Sequence, residues 1–246
     1  MKNRIKWLLQ KSLGFSRYLY LFARLMVLKL PHDRKEKDFF GLRFFVEEGD
    51  HVLDIGANIG VMTVHMARWV KDGKVFSFEP VPENYSIIQK LIKHFQLHNV
   101  RLFPFALGDR NGEAKMVMPE MSNVRFHGLS HLVREKKDDG KFYLVPIKKL
   151  DDIPEMKDMV VKAIKMDVEN AELDVLKGAK KILESQKPVV YCELWENKIR
   201  EETFAFMKDL GYRCFYFQKN NFKEYRSDCI KQNFFFVHTE LNIPKN

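Results

Sequence analysis

The chain has 246 residues, 46% of them apolar and 21 of them phenylalanine, enough for one large α/β domain with its own core. Its three cysteines, Cys192, Cys214 and Cys229, form no CxxC pair, which argues against a disulfide framework or structural zinc and makes a reducing compartment the default. Nearly all of the formal net charge of +9 lies in residues 1–37, where ten Lys and Arg face only Asp33 and Glu36, so the rest of the chain is not a broad nucleic-acid-binding surface.

Residues 1–37 therefore read as a basic amphipathic leader, and 38–246 as the main domain. Residues 13–30 are apolar but interrupted by Arg17, Arg24 and Lys29. A membrane-spanning helix needs about 20 apolar residues with few charges, so a span is not expected. No small-residue cleavage site follows, and no signal peptide is read. Two alternatives stay open. The leader is a helix packed on the domain, or across a dimer, as a lid. Or it lies on an anionic membrane surface, with Trp7, Phe15, Tyr18 and Phe22 at the boundary. The expected location is cytoplasmic, peripheral on the inner face of the membrane under the second alternative.

Past the charged linker at 32–38, the pattern becomes strand, helix, strand, helix, strand. His51–Ile55 is a short apolar strand, Val61–Val70 has helical spacing, and Lys74–Phe78 is a second strand. A helix over 82–97 carries Pro82 in its first turn, and a third strand covers 100–107. This alternation implies a parallel sheet with right-handed crossovers. The irregular stretch 108–152 holds two strand-like pieces, 114–118 and 142–147, around a polar segment at 119–140. A loop of that length inside a compact domain is more often functional than structural, so it reads as an acceptor-binding excursion. The core resumes with a strand at 160–167 that ends in an acid, a helix at 171–185, and a strand at 188–195. A helix at 201–210 follows, with Gly211 suited to its C-terminal turn. Strands at 213–217 and 233–237 close the sheet as an antiparallel hairpin, and their phenylalanine runs read as sheet core.

The turn Gly56-Ala57-Asn58-Ile59-Gly60 follows the first strand, and Glu79 tips the second. That combination is a nucleoside pocket at the carboxyl edge of a parallel sheet. Asn58 occupies the position where a dinucleotide fingerprint needs a glycine to approach a pyrophosphate, and no phosphate-cradling G-K-[ST] follows Gly60. A phosphate-free nucleoside, S-adenosylmethionine, fits better. On this reading Asp54 and the turn from Gly56 through Asn58 to Gly60 face its methionine tail and sulfonium. Glu79 accepts hydrogen bonds from its ribose.

The pattern D-x-G-x-N-x-G, running from Asp54 to Gly60, resembles class I methyltransferases. Ser77-Phe78-Glu79-Pro80 with Asn84 is similar to the F-E-P-x-P-x-N segment of the FkbM-type methyltransferases. Ala106-Leu107-Gly108-Asp109 resembles that family's A-[LV]-[GS]-[DN]. Ile164-Lys165-Met166-Asp167-Val168-Glu169-Asn170-Ala171-Glu172 with Val175-Leu176-Lys177-Gly178-Ala179 is similar to its K-[IM]-D-[VI]-E-G-x-E…VL-x-G-A block. The four pieces stand in the family's order, and the resemblance runs from about residue 40 to 240, leaving the leader uncovered. Asn170 stands where the family has glycine, and Asn tolerates the left-handed conformation better than most residues. The resemblance implies a Rossmann-like class I methyltransferase fold. That fold has a mostly parallel seven-stranded sheet with an antiparallel C-terminal hairpin, helices on both faces, and here an N-terminal helical leader. It also implies S-adenosylmethionine as cofactor and brings Leu107 and Asp109 into the cofactor site.

A hydroxyl is a weak nucleophile and needs a base or a metal. Asp167 and Glu169 are the leading catalytic candidates, since residues two apart on an extended strand face the same way. Glu193, at the tip of the next strand, is a second acid. A divalent cation held by Asp167 and Glu193 is the less favoured alternative to metal-free chemistry. In the excursion, His131 is a candidate base and His127 its neighbour. The expected activity is O-methylation of a small molecule, a sugar or a glycan precursor. An RNA or protein methyltransferase and a non-catalytic cofactor-binding subunit are the alternatives.

Overall fold

Five short strands carry nearly continuous apolar side chains, as parallel strands covered on both faces must. In the computed structural model, which describes residues 2–34, 36–121, 124–126, 128, 130–133, 140–226 and 230–244, these are β1 (His51–Ile55), β2 (Lys74–Phe78), β3 (Val100–Phe103), β9 (Val161–Met166) and β10 (Val189–Glu193). They pair in parallel, with β9 and β10 on one side of β1 and β2 and β3 on the other. Successive strands are added first on one side of β1, as β2 and β3, and then on the other, as β9 and β10, so a crevice opens beyond the carboxyl ends of β1 and β9. β11 (Tyr212–Gln218), β12 (Asn221–Glu224) and β13 (Asn233–His238) extend the sheet antiparallel, with β13 between β10 and β11. The short edge strand β12 is an eighth strand beyond the seven expected.

Alternation along the strands builds two cores. Leu53, Phe76, Ile164, Phe234 and Phe236 face one side, with Val175, Leu176 and Leu183. Val52, Val75, Ala163, Val189 and Phe235 face the other, with Met66 and Val70 of α3 (Val61–Val70) and with Phe39 and Leu42 of a 3-10 segment, Lys37–Phe45. The phenylalanine run of β13 thus feeds both cores because a strand has period two.

The leader forms α1 (Lys2–Leu13) and α2 (Phe15–Lys29), separated at Gly14, whose φ of 74° is costly for any other residue. α2 buries Tyr18, Leu19, Ala23 and Val27 in a cluster with Val64 of α3 and Ile87 and Leu91 of α4 (Pro82–His94). It packs on the domain.

Two stretches differ from the sequence expectation. The strand expected over 100–107 divides after Phe103. Ala106–Leu107 forms β4, which pairs in parallel with β8 (Gly140–Lys148) in a second sheet. β8 also pairs antiparallel with β5 (Gly112–Met121), which carries β6 (Val124–Arg125) and β7 (His131–Leu132). The excursion is therefore a second sheet rather than an irregular loop, because Met116, Met118 and Val145 pack on Val81 as an apolar cluster of their own. The helix expected over 171–185 is two helices, α5 (Glu172–Gly178) and α6 (Lys180–Gln186). Ala179 leaves the helical conformation between them, and the Asp151 carboxylate accepts from Lys181 N and Ile182 N, capping the second. The last helix, α7 (Lys198–Asp209), starts earlier than expected because the Asn197 side chain accepts from Arg200 N. Gly211 takes φ 82° after it.

Gly178 locks the two sheets together. A β-carbon there would lie 1.9 Å from the carbonyl oxygen of Gly108. Gly178→Ala is expected to lower stability by about 1–3 kcal/mol through overpacking against rigid backbone. Urea unfolding followed by circular dichroism checks this, and an unchanged midpoint would contradict it.

Candidate active site

Asp54 on β1 and Lys165 on β9 are direct neighbours in the parallel register. The Lys165 ammonium lies 3.2 Å from Asp54 Oδ1 and donates to the carbonyl oxygen of Gly56 at 2.9 Å. The second Asp54 oxygen accepts from the Thr63 hydroxyl at 2.5 Å. Asp54 is fully buried and Lys165 is 4% exposed. Burial alone would drive the lysine pKa down, but the charges of Asp54 and Asp167 outweigh it and hold it above its ordinary value.

The glycine turn is tied down at both ends. Gly56 N and Ala57 N donate to the Phe78 carbonyl at 3.1 and 3.0 Å, and Gly60 N donates to Ala57 O at 2.8 Å. Gly56 has φ 72°, and a β-carbon on it would lie 1.9 Å from Asp167 O. Asn58 takes φ 53°, a conformation asparagine tolerates, and its backbone N–H donates to Glu79 Oε2 at 2.7 Å. Glu79 Oε1 accepts from Val81 N at 2.9 Å and Asn84 Nδ2 at 3.3 Å. Burial pushes the Glu79 carboxyl up to about 7, against those three hydrogen bonds.

Two cavities open at this edge. One is lined by Glu79, Asn84, Ser130 and Glu169 among apolar Ile55, Phe78, Ala106, Leu107, Met116 and Leu132. The other, the larger of the two, has an apolar wall of Phe22, Met26, Leu30, Val61 and Met62. It also carries Glu36, Lys165, Tyr191 and Glu193. Gly56, Asn58 and Asp167 line both. Lys165 is the sole basic side chain on either wall among the described residues, and Asp54 already holds it.

The carboxylates raise one another. Burial first, then the charge of Asp167, lifts Glu193 to about 7 and Glu169 to about 8. Burial lifts Glu172 to about 7 and raises Asp167 and Glu36. Among the described residues no group of three or more His, Cys, Asp and Glu side chains converges to hold a metal ion. Asp167 and Glu193 do line the same cavity.

Of the residues singled out in the sequence, Gly56, Asn58, Glu79 and Leu107 line the first cavity, and Asp167 and Glu169 reach it too. Four residues expected at the site stand outside the walls of both cavities. Asp54 does not line either cavity but grips Lys165 behind the turn. Gly60 serves packing: it begins α3 at φ 79°, and a β-carbon there would press on Ile88 at 3.0 Å. Asp109 is exposed beside Arg110, because the chain turns away after β4 pairs with β8. His131, on β7, lines neither cavity, although its neighbours Ser130 and Leu132 line the first. His127 and Cys229 lie outside the described residues. Asp167 and Glu169 do not share a face through an extended strand either. β9 ends at Met166, and Glu169 and Asn170 take φ 51° and 70° in a tight turn. Asn170 adopts the left-handed conformation expected of it, and its Oδ1 accepts from Asn197 Nδ2 at 2.6 Å. Lys165 carried no role in the sequence reading. Its signal was a lysine one residue from the tip of a buried strand, where a charge needs a buried partner.

The cavities fit the cofactor that the sequence implies. A carboxylate offers about four acceptor positions. Three at Glu79 are filled by protein, which leaves room for a ribose hydroxyl. Asn84 Oδ1, buried in the same wall, has no hydrogen-bond partner among the described residues. Breaking the pair behind the turn tests its role. Lys165→Met is expected to cost about 3–5 kcal/mol by leaving Asp54 charged and unpaired, and Asp54→Asn added to it is expected to recover part of that loss. Chemical denaturation of both variants checks this, and a harmless Lys165→Met would contradict it.

Comparison with known proteins gives the family. A family model described as the methyltransferase FkbM domain matches residues 54–214. The chain is 26% identical over 188 residues to methyltransferase sdnD of Sordaria araneosa, covering 65% of this chain and 73% of that protein. It is 26% identical over 181 residues to methyltransferase 1 of Beauveria bassiana, covering 60% and 69%. Among solved structures, an FkbM methyltransferase from Methylobacillus flagellatus superposes with a TM-score of 0.52 at 16% identity, over 78% of this chain and 44% of that one. The chain thus spans less than half of that protein. An rRNA methylase from Streptococcus thermophilus superposes at 0.50 with 10% identity, over 83% and 94%, which shows the shared fold. The family match covers well over half of the 246 residues, and the chain belongs to the FkbM family of S-adenosylmethionine-dependent methyltransferases.

Proposed function

We propose that the protein moves the methyl group of S-adenosylmethionine to a hydroxyl of a small molecule, a sugar or a glycan precursor. The supporting observation is the pair of cavities that meet at Gly56, Asn58 and Asp167. The smaller takes the adenosine end: Glu79 and Asn84 orient the ribose, and Phe78, Leu107 and Leu132 enclose the base. The larger takes the acceptor. When bound, the cofactor supplies a methyl group already activated on a sulfonium.

The residues of the chain supply alignment and proton removal. Walls of Phe22, Met26 and Met62 exclude water from the acceptor hydroxyl. As the new oxygen–carbon bond forms and the carbon–sulfur bond breaks, the hydroxyl proton passes to the Asp167–Glu193 pair. Its raised affinity for protons matches a base working near neutral pH. Carboxylates around one already-paired lysine favour a cationic cofactor and disfavour a phosphate-bearing acceptor, which supports a small hydroxylic acceptor over RNA.

Two measurements test this. S-adenosylhomocysteine affinity, measured by calorimetry, is expected to tighten as pH rises from 6 to 8. Glu79 carries a proton below about 7, while ribose donors require its charged form. Glu79→Gln is expected to weaken binding and flatten that rise, and an unchanged profile would contradict the ribose assignment. In a transfer screen read by mass spectrometry against sugars and glycan precursors, the rate is expected to climb over the same range. Glu193→Gln is expected to lower kcat by about 100-fold or more with cofactor affinity retained. A wild-type kcat in that variant would remove Glu193 from the chemistry. Methylation of RNA in preference to every hydroxylic small molecule would overturn the acceptor class.

A further inference from the structure

The outer face of α2 has no counterpart in the chemistry. Leu21, Leu25 and Leu28, spaced four and three apart on one face, are 48%, 60% and 67% exposed. The opposite face is already committed, with Tyr18, Leu19, Ala23 and Val27 buried on α3 and α4. The leucines are thus held outward by a helix that cannot roll over to hide them. Arg17 and Lys29, both exposed, and Arg24, which stacks over Tyr20 at 5.6 Å, border the stripe. Residues 1–32 contain seven Lys and Arg and no acid at all. α1 has the same composition, with Leu8, Leu9 and Leu13 exposed.

We propose that this face docks on an anionic lipid surface, with the three leucines in the acyl boundary and the basic residues among the headgroups. Charge selects this occupant. A second copy packed on the same face would bring two strongly basic leaders together, with far less opposite charge than a layer of anionic headgroups supplies. No helix among the described residues is long and apolar enough to cross a membrane, so the helix lies on the surface. Phe22, Met26 and Leu30, on the inward side of this segment, wall the larger cavity, so docking sets that cavity beside the bilayer.

The test uses the full chain and vesicles of phosphatidylcholine alone or mixed with phosphatidylglycerol, read by co-sedimentation. The wild type is expected to bind the mixed vesicles and to release as salt rises. Binding is expected to fall about tenfold or more on pure phosphatidylcholine. A similar fall is expected for the triple variant Leu21→Ser, Leu25→Ser, Leu28→Ser. Arg17→Gln with Lys29→Gln is expected to weaken binding while leaving the leucines in place. These positions are exposed, and circular dichroism verifies that each variant is folded. Equal partitioning of wild type and triple variant, or no binding to the mixed vesicles, would overturn the proposal. So would a dimer seen by sedimentation velocity that the triple variant abolishes in a protein that ignores vesicles, since a second copy would then cover the face.

Discussion

The Lys165 ammonium, held between Asp54 and the carbonyl of Gly56, is the contact on which the site depends. A charge pair buried between two central strands is expensive unless its geometry is satisfied on all sides. Here Thr63 completes Asp54, and Gly56 O completes the lysine. The arrangement joins β1, β9 and α3 and fixes where the chain leaves β1. From that point the positive φ values of Gly56 and Asn58 carry the backbone close beneath Asp167 and place Asn58 N on Glu79. The walls of both cavities are thereby set from the same turn.

A second constraint is electrostatic. Glu36, Asp167, Glu169, Glu172 and Glu193 crowd the carboxyl edge of the sheet, and Lys165, shared with Asp54, offsets only part of their charge. Mutual repulsion and burial together lift several of these groups toward neutrality, the usual way a fold keeps a carboxylate basic enough to accept a proton near pH 7. The same crowding suits a cationic methyl donor and makes the leader, not the site, the place where the positive charge of the chain resides.

Much of this was legible in the amino-acid order. The two strands that flank the glycine turn, the acid at Glu79 and the lone glycine after α7 carry local signatures that tertiary structure does not override. The phenylalanine runs read as sheet core because period two is unambiguous once a strand is buried on both faces. Pairing across the sheet was not legible. Asp54 looked like a ligand contact because a buried acid at a strand tip does not reveal its partner, and Lys165 lies 111 residues away in the chain. Asp109 and His131 stand outside the cavity walls for a related reason. The polar stretch at 119–140 hid a hairpin between β5 and β8 that draws β4 out of the main sheet, and no local pattern sets the register of so short a strand as β7. Asp167 and Glu169 were paired on the premise of an extended strand. Two left-handed residues in succession end it instead.

One turn, clamped by Lys165, is expected to present Glu79 to a nucleoside and Asp167 to the transferred group. A crystal structure of the complex with S-adenosylhomocysteine measures it directly. Ribose hydroxyls within hydrogen-bonding distance of Glu79, with the sulfur beside Gly56 and Asp167, is the predicted result. A nucleoside bound with Glu79 out of reach, or a sulfur remote from Asp167, would contradict it.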